Sequence, residues 1–200
     1  IRDITVVVGY KKEQVLKFLN TYPVPVKTVV QSKQLGTFHA LSCAKSEVTA
    51  DRLLIVPGDN YVNAESIRAL IHEENGALVA PHKRPWDYGV ITQKEGILCS
   101  TNMHAHDVPS GSLVETGAYI LGKKLYEAFF EIDEPDKIVN DMPYTGHNVK
   151  VVEAKGWYDA DCFTDLLELN RYLLGKQKSI IRGSVDQRAV IRGHVVLGKN

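Results

Sequence analysis

Cysteine is scarce in this chain: Cys43, Cys99 and Cys162 are an odd number in 200 residues, set far apart and without a Cys-x-x-Cys spacing. That excludes a disulfide framework or a zinc knuckle as the organising device and suits a reducing compartment. Net charge is absent too, 24 basic side chains standing against 24 acidic ones. No global field therefore argues for nucleic acid or an anionic membrane as a partner. No apolar run approaches the roughly 18 residues that a membrane span requires, and no signal-peptide pattern opens the chain. The expectation is a soluble, cytoplasmic protein. An initiator methionine is also missing, and the chain passes from Ile1 straight into a buried-strand pattern, Ile4-Thr5-Val6-Val7-Val8, followed by Gly9-Tyr10.

What is present is best read from residues 29–60. Val29-Val30 leads into Gln31 and then Gly36-Thr37, and Arg52-Leu53-Leu54-Ile55-Val56 leads into Pro57-Gly58-Asp59-Asn60. An apolar run ending in a polar, glycine-containing turn is how an α/β sheet delivers a strand end to a ligand crevice. Leu41, Ala44 and Val48 recur at helical intervals after Thr37, so a helix should begin beside Gln31. Gln31 and Asp59 are expected on one rim, with the Asp59 carboxylate offered as a magnesium ligand.

The remaining pattern alternates helix and strand. Helices are expected over 11–20, 64–74, 123–130 and 136–142, and strands over 77–80 and 149–152, filling one main α/β domain of a size that supports a proper core. A loop from His82 to Asp87 runs into Tyr88-Gly89-Val90-Ile91, where Gly89 is either a turn glycine or a point of close backbone approach. His104 and His106 could share one face of an extended segment, with His82 joining them if the loops fold together, but with no evident third ligand they read more simply as surface histidines. Farther on, Gly156-Trp157-Tyr158-Asp159-Ala160-Asp161 precedes a leucine-rich helix starting near Phe163. Asp159 is a helix cap on one reading and a metal ligand on the other. Asp59 favours the second, because paired carboxylates repel unless a cation joins them. Asp161 is open to the same two roles, while Trp157 and Tyr158 read as core.

Past Gly175 the composition changes. Val185, Ile191 and Leu197 are six apart, with Ala189 and Val195 four residues after the first two. A six-residue period is the hexapeptide pattern of a β-helix, of which about one coil is present, and a C-terminal hairpin is the alternative. The expected division is therefore 1–175 and 176–200.

These motifs resemble the sugar-1-phosphate nucleotidylyltransferases, the glucose-1-phosphate thymidylyltransferase and N-acetylglucosamine-1-phosphate uridylyltransferase type with a C-terminal left-handed β-helix. The resemblance implies a Rossmann-like three-layer α/β sheet. It also implies that the first strand and a Gly-rich triphosphate loop belong before Ile1, so the chain is expected to be truncated at both ends. By the same resemblance Gln31, Gly36, Thr37 and Gly58 bind the nucleotide, Asp59 and Asp159 hold Mg2+ as the catalytic pair, and Gly89, Glu115 and Thr116 contact the sugar. The implied partners are a nucleoside triphosphate, UTP or dTTP, and a hexose 1-phosphate, with a trimer through the β-helix if it is complete. One departure stands out: His104-Ala105-His106 occupies the place of a Glu-Lys-Pro sugar-binding triplet. Two alternatives follow, an inactive nucleotide-sugar-binding module or an acyltransferase-type protein whose β-helix carries the function.

Overall fold

A computed structural model describes residues 1, 3–103, 105–128, 130, 148–176 and 178–199. The helix expected over 136–142 and His104 lie outside the described residues. In chain order the elements are β1 (Thr5–Val8), α1 (Lys12–Leu19), β2 (Lys27–Val30), α2 (Thr37–Cys43), β3 (Arg52–Ile55), β4 (Asn60–Val62), α3 (Ala64–Ile71) and β5 (Gly76–Pro81). There follow β6 (Val90–Lys94), β7 (Ile97–Asn102), β8 (Leu113–Gly122), α4 (Lys123–Ala128), β9 (Lys150–Glu153), β10 (Trp157–Asp159), α5 (Phe163–Gly175), β11 (Ile180–Ile181) and β12 (Val196–Leu197).

Six strands form the main sheet in the order β3-β8-β5-β9-β7-β6. Its centre is β5, whose first five residues are all buried. Period-two alternation divides them between two cores: Ala77 and Val79 join Tyr119, Leu121, Leu125 and Tyr126 on one face, and Leu78 joins Leu70, Ala118 and Ile120 on the other. A strand covered on both faces has no polar side to display, which is why 77–80 reads as an unbroken apolar run. α3 closes the second face with Leu70 and Ser66 fully buried, and it starts where Asn63 Oδ1 accepts from Ser66 N at 2.9 Å.

Among the described residues of this sheet only β5 and β9 are hydrogen-bonded in parallel; β8 pairs antiparallel with β3, β5 and β6. β1 and β2 form a separate parallel pair, Val8 opposite Val30, with no ladder to β3 among the described residues. The two sheets are nevertheless joined through α2. It ends at Cys43 and tightens into a 3-10 turn, Lys45–Glu47, so the expected helical run is shorter than its apolar spacing suggested. Its apolar face is real, since Phe38 and Leu41 pack on the core, as Val48 does beyond the 3-10 turn, and Tyr126 OH donates to Leu41 O at 2.6 Å.

In the tail β11 and β12 pair parallel, Ile180 opposite Val196. A two-strand hairpin pairs antiparallel, so the hairpin reading does not describe this segment. No helix among the described residues is long and apolar enough to cross a membrane.

Candidate active site

Two sequence segments meet at the carboxylate cluster because β4 and β10 pair antiparallel, Asp159 opposite Asn60. Asp59 immediately precedes β4 and Asp159 ends β10, so a three-residue ladder brings together side chains from opposite halves of the chain. Asp59, Asp159 and Asp161 each present a carboxylate oxygen within 4.8 Å of the others. One amide links the first two: Asn60 Nδ2 donates to Asp59 Oδ1 and to Asp159 Oδ1, each at 3.0 Å. Asn60 is itself oriented by Trp157, whose Nε1 donates to Asn60 Oδ1 at 2.5 Å. Asp159 also accepts from Ala160 N at 2.9 Å and from the Tyr88 phenol.

The electrostatics follow from that crowding. Burial, then the Asp161 charge, and more weakly Asp59, raise the Asp159 carboxyl above the ordinary carboxylate range against the opposing Ala160 and Tyr88 hydrogen bonds. Tyr88 is pushed well above the usual phenol value by burial first and by Asp159, Asp165 and Asp161 after it. Its ring is held edge-on to His82 and Trp157, with centroids 4.5 and 5.5 Å away. His82 is thus an aromatic neighbour of Tyr88, and its Nδ1 accepts from Arg84 N at 3.3 Å.

Neither acidic candidate serves as the cap of α5. That position is Cys162, whose N–H donates to Asp165 Oδ2 at 3.0 Å, so Asp165 reaches back from the first turn and the capping reading of Asp159 and Asp161 falls away. Trp157, read from sequence as core, is half-buried and gives its one polar atom to the site. Asn60, Trp157 and Tyr88 are the residues that sequence reasoning missed. Only Asn60 carried a signal, its place directly after Gly58-Asp59.

The second cluster lies at the ends of β1 and β2. Gln31 Nε2 donates to Gly36 O at 3.0 Å and lies 3.0 Å from His39 Nδ1, so its amide spans the turn before α2. Gly36 sits at φ 93°, and Thr37 opens α2 in an exposed position. Gly58 is exposed, and a Cβ placed on it would meet nothing within 4 Å. Packing therefore does not demand that glycine, and its surroundings are open. No hydrogen bond joins the Gln31 cluster to the Asp59 cluster among the described residues.

The third group is at the β6–β8 junction. Glu115 N donates to Gly89 O at 2.9 Å, and Glu115 Oε2 accepts from Tyr119 OH at 2.8 Å. A Cβ on Gly89 would lie 2.5 Å from Thr101 Cγ2 and 2.8 Å from Met103 Sδ, so protein packing alone already requires this glycine. Thr116 is not on a ligand surface. It is 2% exposed, its Oγ1 donates to Leu78 O at 2.8 Å, and it accepts from Ala118 N at 3.3 Å. The expected sugar contact is here a lock on the sheet, placed where β8 bulges against β5 between Ala77 and Val79. Thr116→Val should therefore cost about 1–3 kcal/mol of unfolding free energy in urea titrations, the penalty of orphaning a buried carbonyl.

No protein-family model matches the chain. Among curated proteins it is 25% identical over 204 residues to "Bifunctional protein GlmU" of Methanocaldococcus jannaschii, covering 98% of this chain and 49% of that protein. It is 24% identical to the glucose-1-phosphate thymidylyltransferase of Streptomyces griseus, covering 98% of this chain and 60% of that one. The chain thus spans about half the length of its GlmU relatives. Among solved structures, a Bacillus anthracis protein assigned as a glucose-1-phosphate thymidylyltransferase superposes with a TM-score of 0.72 at 21% identity, covering 86% of this chain and 76% of that one, a likeness that establishes the fold. Along nearly its whole length the chain is thus similar in sequence to curated sugar-phosphate nucleotidyltransferases, and it shares their mixed α/β fold.

Proposed function

We propose that this chain is the nucleotidylyltransferase part of an enzyme that joins UTP or dTTP to a hexose 1-phosphate, releasing pyrophosphate and forming a nucleotide sugar. The observation that carries the reading is the convergence of Asp59, Asp159 and Asp161, with two of the three held by one asparagine amide. Three carboxylates so close repel one another, and the Asp159 carboxyl is raised by burial first and by the Asp161 charge after it. Their hard oxygen donors fit Mg2+, which is held by one or two carboxylates and completes its shell with water and phosphate oxygens. Asp59 and Asp159 would hold it, and Asp161 adds charge beside them. A bound Mg2+ supplies positive charge against the phosphates of the nucleotide and absorbs charge developing on them.

The other roles belong to the chain's own side chains. Asn60, fixed by Trp157, keeps Asp59 and Asp159 in register with each other. Gln31 reads the base, Gly36 and Gly58 leave room for the nucleotide, and Thr37 adds a polar contact at the start of α2. Glu115 and Gly89, adjacent through a backbone hydrogen bond, face the sugar. The sugar-phosphate oxygen attacks the α-phosphorus directly, so positioning rather than a general base is what the protein contributes. The tail, with its parallel β11–β12 pairing and six-residue period, opens a left-handed β-helix on this reading.

Calorimetric titration of the chain with UDP-glucose, UDP-N-acetylglucosamine and dTDP-glucose in Mg2+ tests the proposal. Binding of at least one ligand is expected, weakened about tenfold or more by Gln31→Ala, as loss of a base-reading hydrogen bond in a partly desolvated site predicts. A chain that is folded by circular dichroism yet binds none of the three would sink the reading.

A further inference from the structure

The Gln31 amide is committed in a way that its sequence position did not reveal. Its nitrogen carries two hydrogens. One goes to Gly36 O at 3.0 Å, and the second faces His39 Nδ1, also at 3.0 Å. Turning the amide over would set Oε1 against the Gly36 carbonyl, acceptor against acceptor, so Gly36 fixes which end is the nitrogen. The second contact is a hydrogen bond only if His39 Nδ1 accepts, which requires the tautomer protonated on Nε2. Both Gln31 hydrogens are then used inside the protein. Oε1 alone is left, and it has no hydrogen-bond partner among the described residues. It points toward Gly9 at the end of β1, where a Cβ would lie 3.7 Å from it and 2.8 Å from Gln34 Nε2.

We infer that His39 is a specificity-determining positioning residue: with Gly36 setting the amide's orientation, His39 takes the second Gln31 hydrogen and leaves Oε1 as the one uncommitted polar atom, so that the site reads a base through a ring N–H donor. This rests on the nucleotide-binding reading above and refines it, since Gln31 then offers the base one acceptor and no free donor. Uracil and thymine present N3–H at the pairing edge and satisfy a lone acceptor. Cytosine presents a bare N3 there and meets it with repulsion. His39 need not touch the base. It acts by removing the one Gln31 hydrogen that could have favoured cytosine.

The test is competitive binding of UTP and CTP to the wild-type chain, His39→Leu and His39→Asn, with thermal melts to establish that each variant is folded. The wild-type chain should prefer UTP by roughly tenfold or more, the discrimination expected when an acceptor meets an acceptor rather than a donor. Leucine keeps the bulk but cannot accept, so the preference should fall by roughly fivefold. Asparagine, whose side-chain oxygen can accept in place of Nδ1, should restore it. A purely structural role would lower both affinities together and leave their ratio unchanged, and an unchanged ratio in His39→Leu overturns the inference. So does a ratio that His39→Asn fails to restore. Nitrogen NMR of the free protein gives a readout independent of any ligand: an Nε2-protonated His39 ring supports the lock, and an Nδ1-protonated ring ends it. Nucleotide binding without a UTP preference in the wild-type chain defeats this inference alone, whereas no nucleotide binding at all defeats the proposed function with it.

Discussion

Asp159→Asn should melt at a higher temperature than the wild-type chain in chelator, and Mg2+ should stabilise the wild type but not the variant. Three carboxylates within 4.8 Å of one another repel, and at that separation each like-charge pair costs on the order of 1 kcal/mol even at a water-like dielectric. The amide keeps the hydrogen bonds that matter for geometry, because its oxygen still accepts from Asn60 Nδ2 and Ala160 N. Repulsion is therefore relieved without undoing the β4–β10 junction. Cation affinity should fall by about 100-fold or more, beyond the loss typical of removing only an outer hydrogen-bond partner. Paired melting curves, with Mg2+ and with chelator, separate the two effects. If the variant is destabilised in chelator yet still gains stability from Mg2+, Asp159 is a structural residue and the cluster is not the cation site.

The pH dependence has the same origin. The folded state raises the Asp159 carboxyl above its unfolded value, through burial first and then Asp161. A raised acid binds its proton more tightly when folded, so its contribution to stability is present below the unfolded carboxylate range and is lost as pH rises through the folded value. In chelator the wild-type chain should thus shed this contribution between the ordinary carboxylate range and the raised Asp159 value. Asp159→Asn should be flat over that window apart from the remaining acids.

Gly117→Ala is expected to be more damaging than its size suggests. Gly117 lies in the β8 bulge at φ +73°, a conformation that costs a residue with a Cβ about 1–2 kcal/mol. The added methyl would also lie 2.7 Å from Pro57 Cγ, and overpacking of that kind typically costs about 1–3 kcal/mol. The sum, roughly 2–5 kcal/mol, corresponds to a fall of about 4–20 °C in melting temperature for a chain of this length. Its position makes the variant informative, because Pro57 leads directly into Gly58-Asp59. Pushing the proline away displaces the carboxylate two residues later, so Mg2+-induced stabilisation should weaken along with the fold. Thr116→Val, one residue earlier in the same bulge, should lose stability and keep cation binding. Equal cation responses in the two variants would show that the bulge does not position Asp59.

Much of this arrangement was legible in the residues. The unbroken apolar run 77–80 reported a strand covered on both faces, and the turns after Val30 and Val56 announced Gln31 and Asp59 as polar side chains at strand ends. The pairing of Asp59 with Asp159 was implied by the family resemblance of the two motifs, and the β4–β10 ladder is what brings the side chains together. Strand sense was not legible, because apolar periodicity registers which side of a strand is buried and is silent on the direction of its neighbour. The β3–β8 and β5–β8 ladders are antiparallel for reasons of chain path that no local pattern contains.

Side-chain commitment was hidden for a related reason. Thr116 beside Glu115 looks like a second sugar contact until the bulge turns its hydroxyl inward to Leu78 O. Gln31 looks like a paired donor and acceptor until Gly36 and His39 take both its hydrogens. The sequence by itself determined which residues could do chemistry and the order in which strands and helices deliver them, since composition and periodicity are properties of neighbours along the chain. Only the tertiary structure decided which polar atoms remain free, because a donor or acceptor is used up by whatever lies within about 3 Å in space, and for Asp159 and Asn60 that partner is 99 residues away.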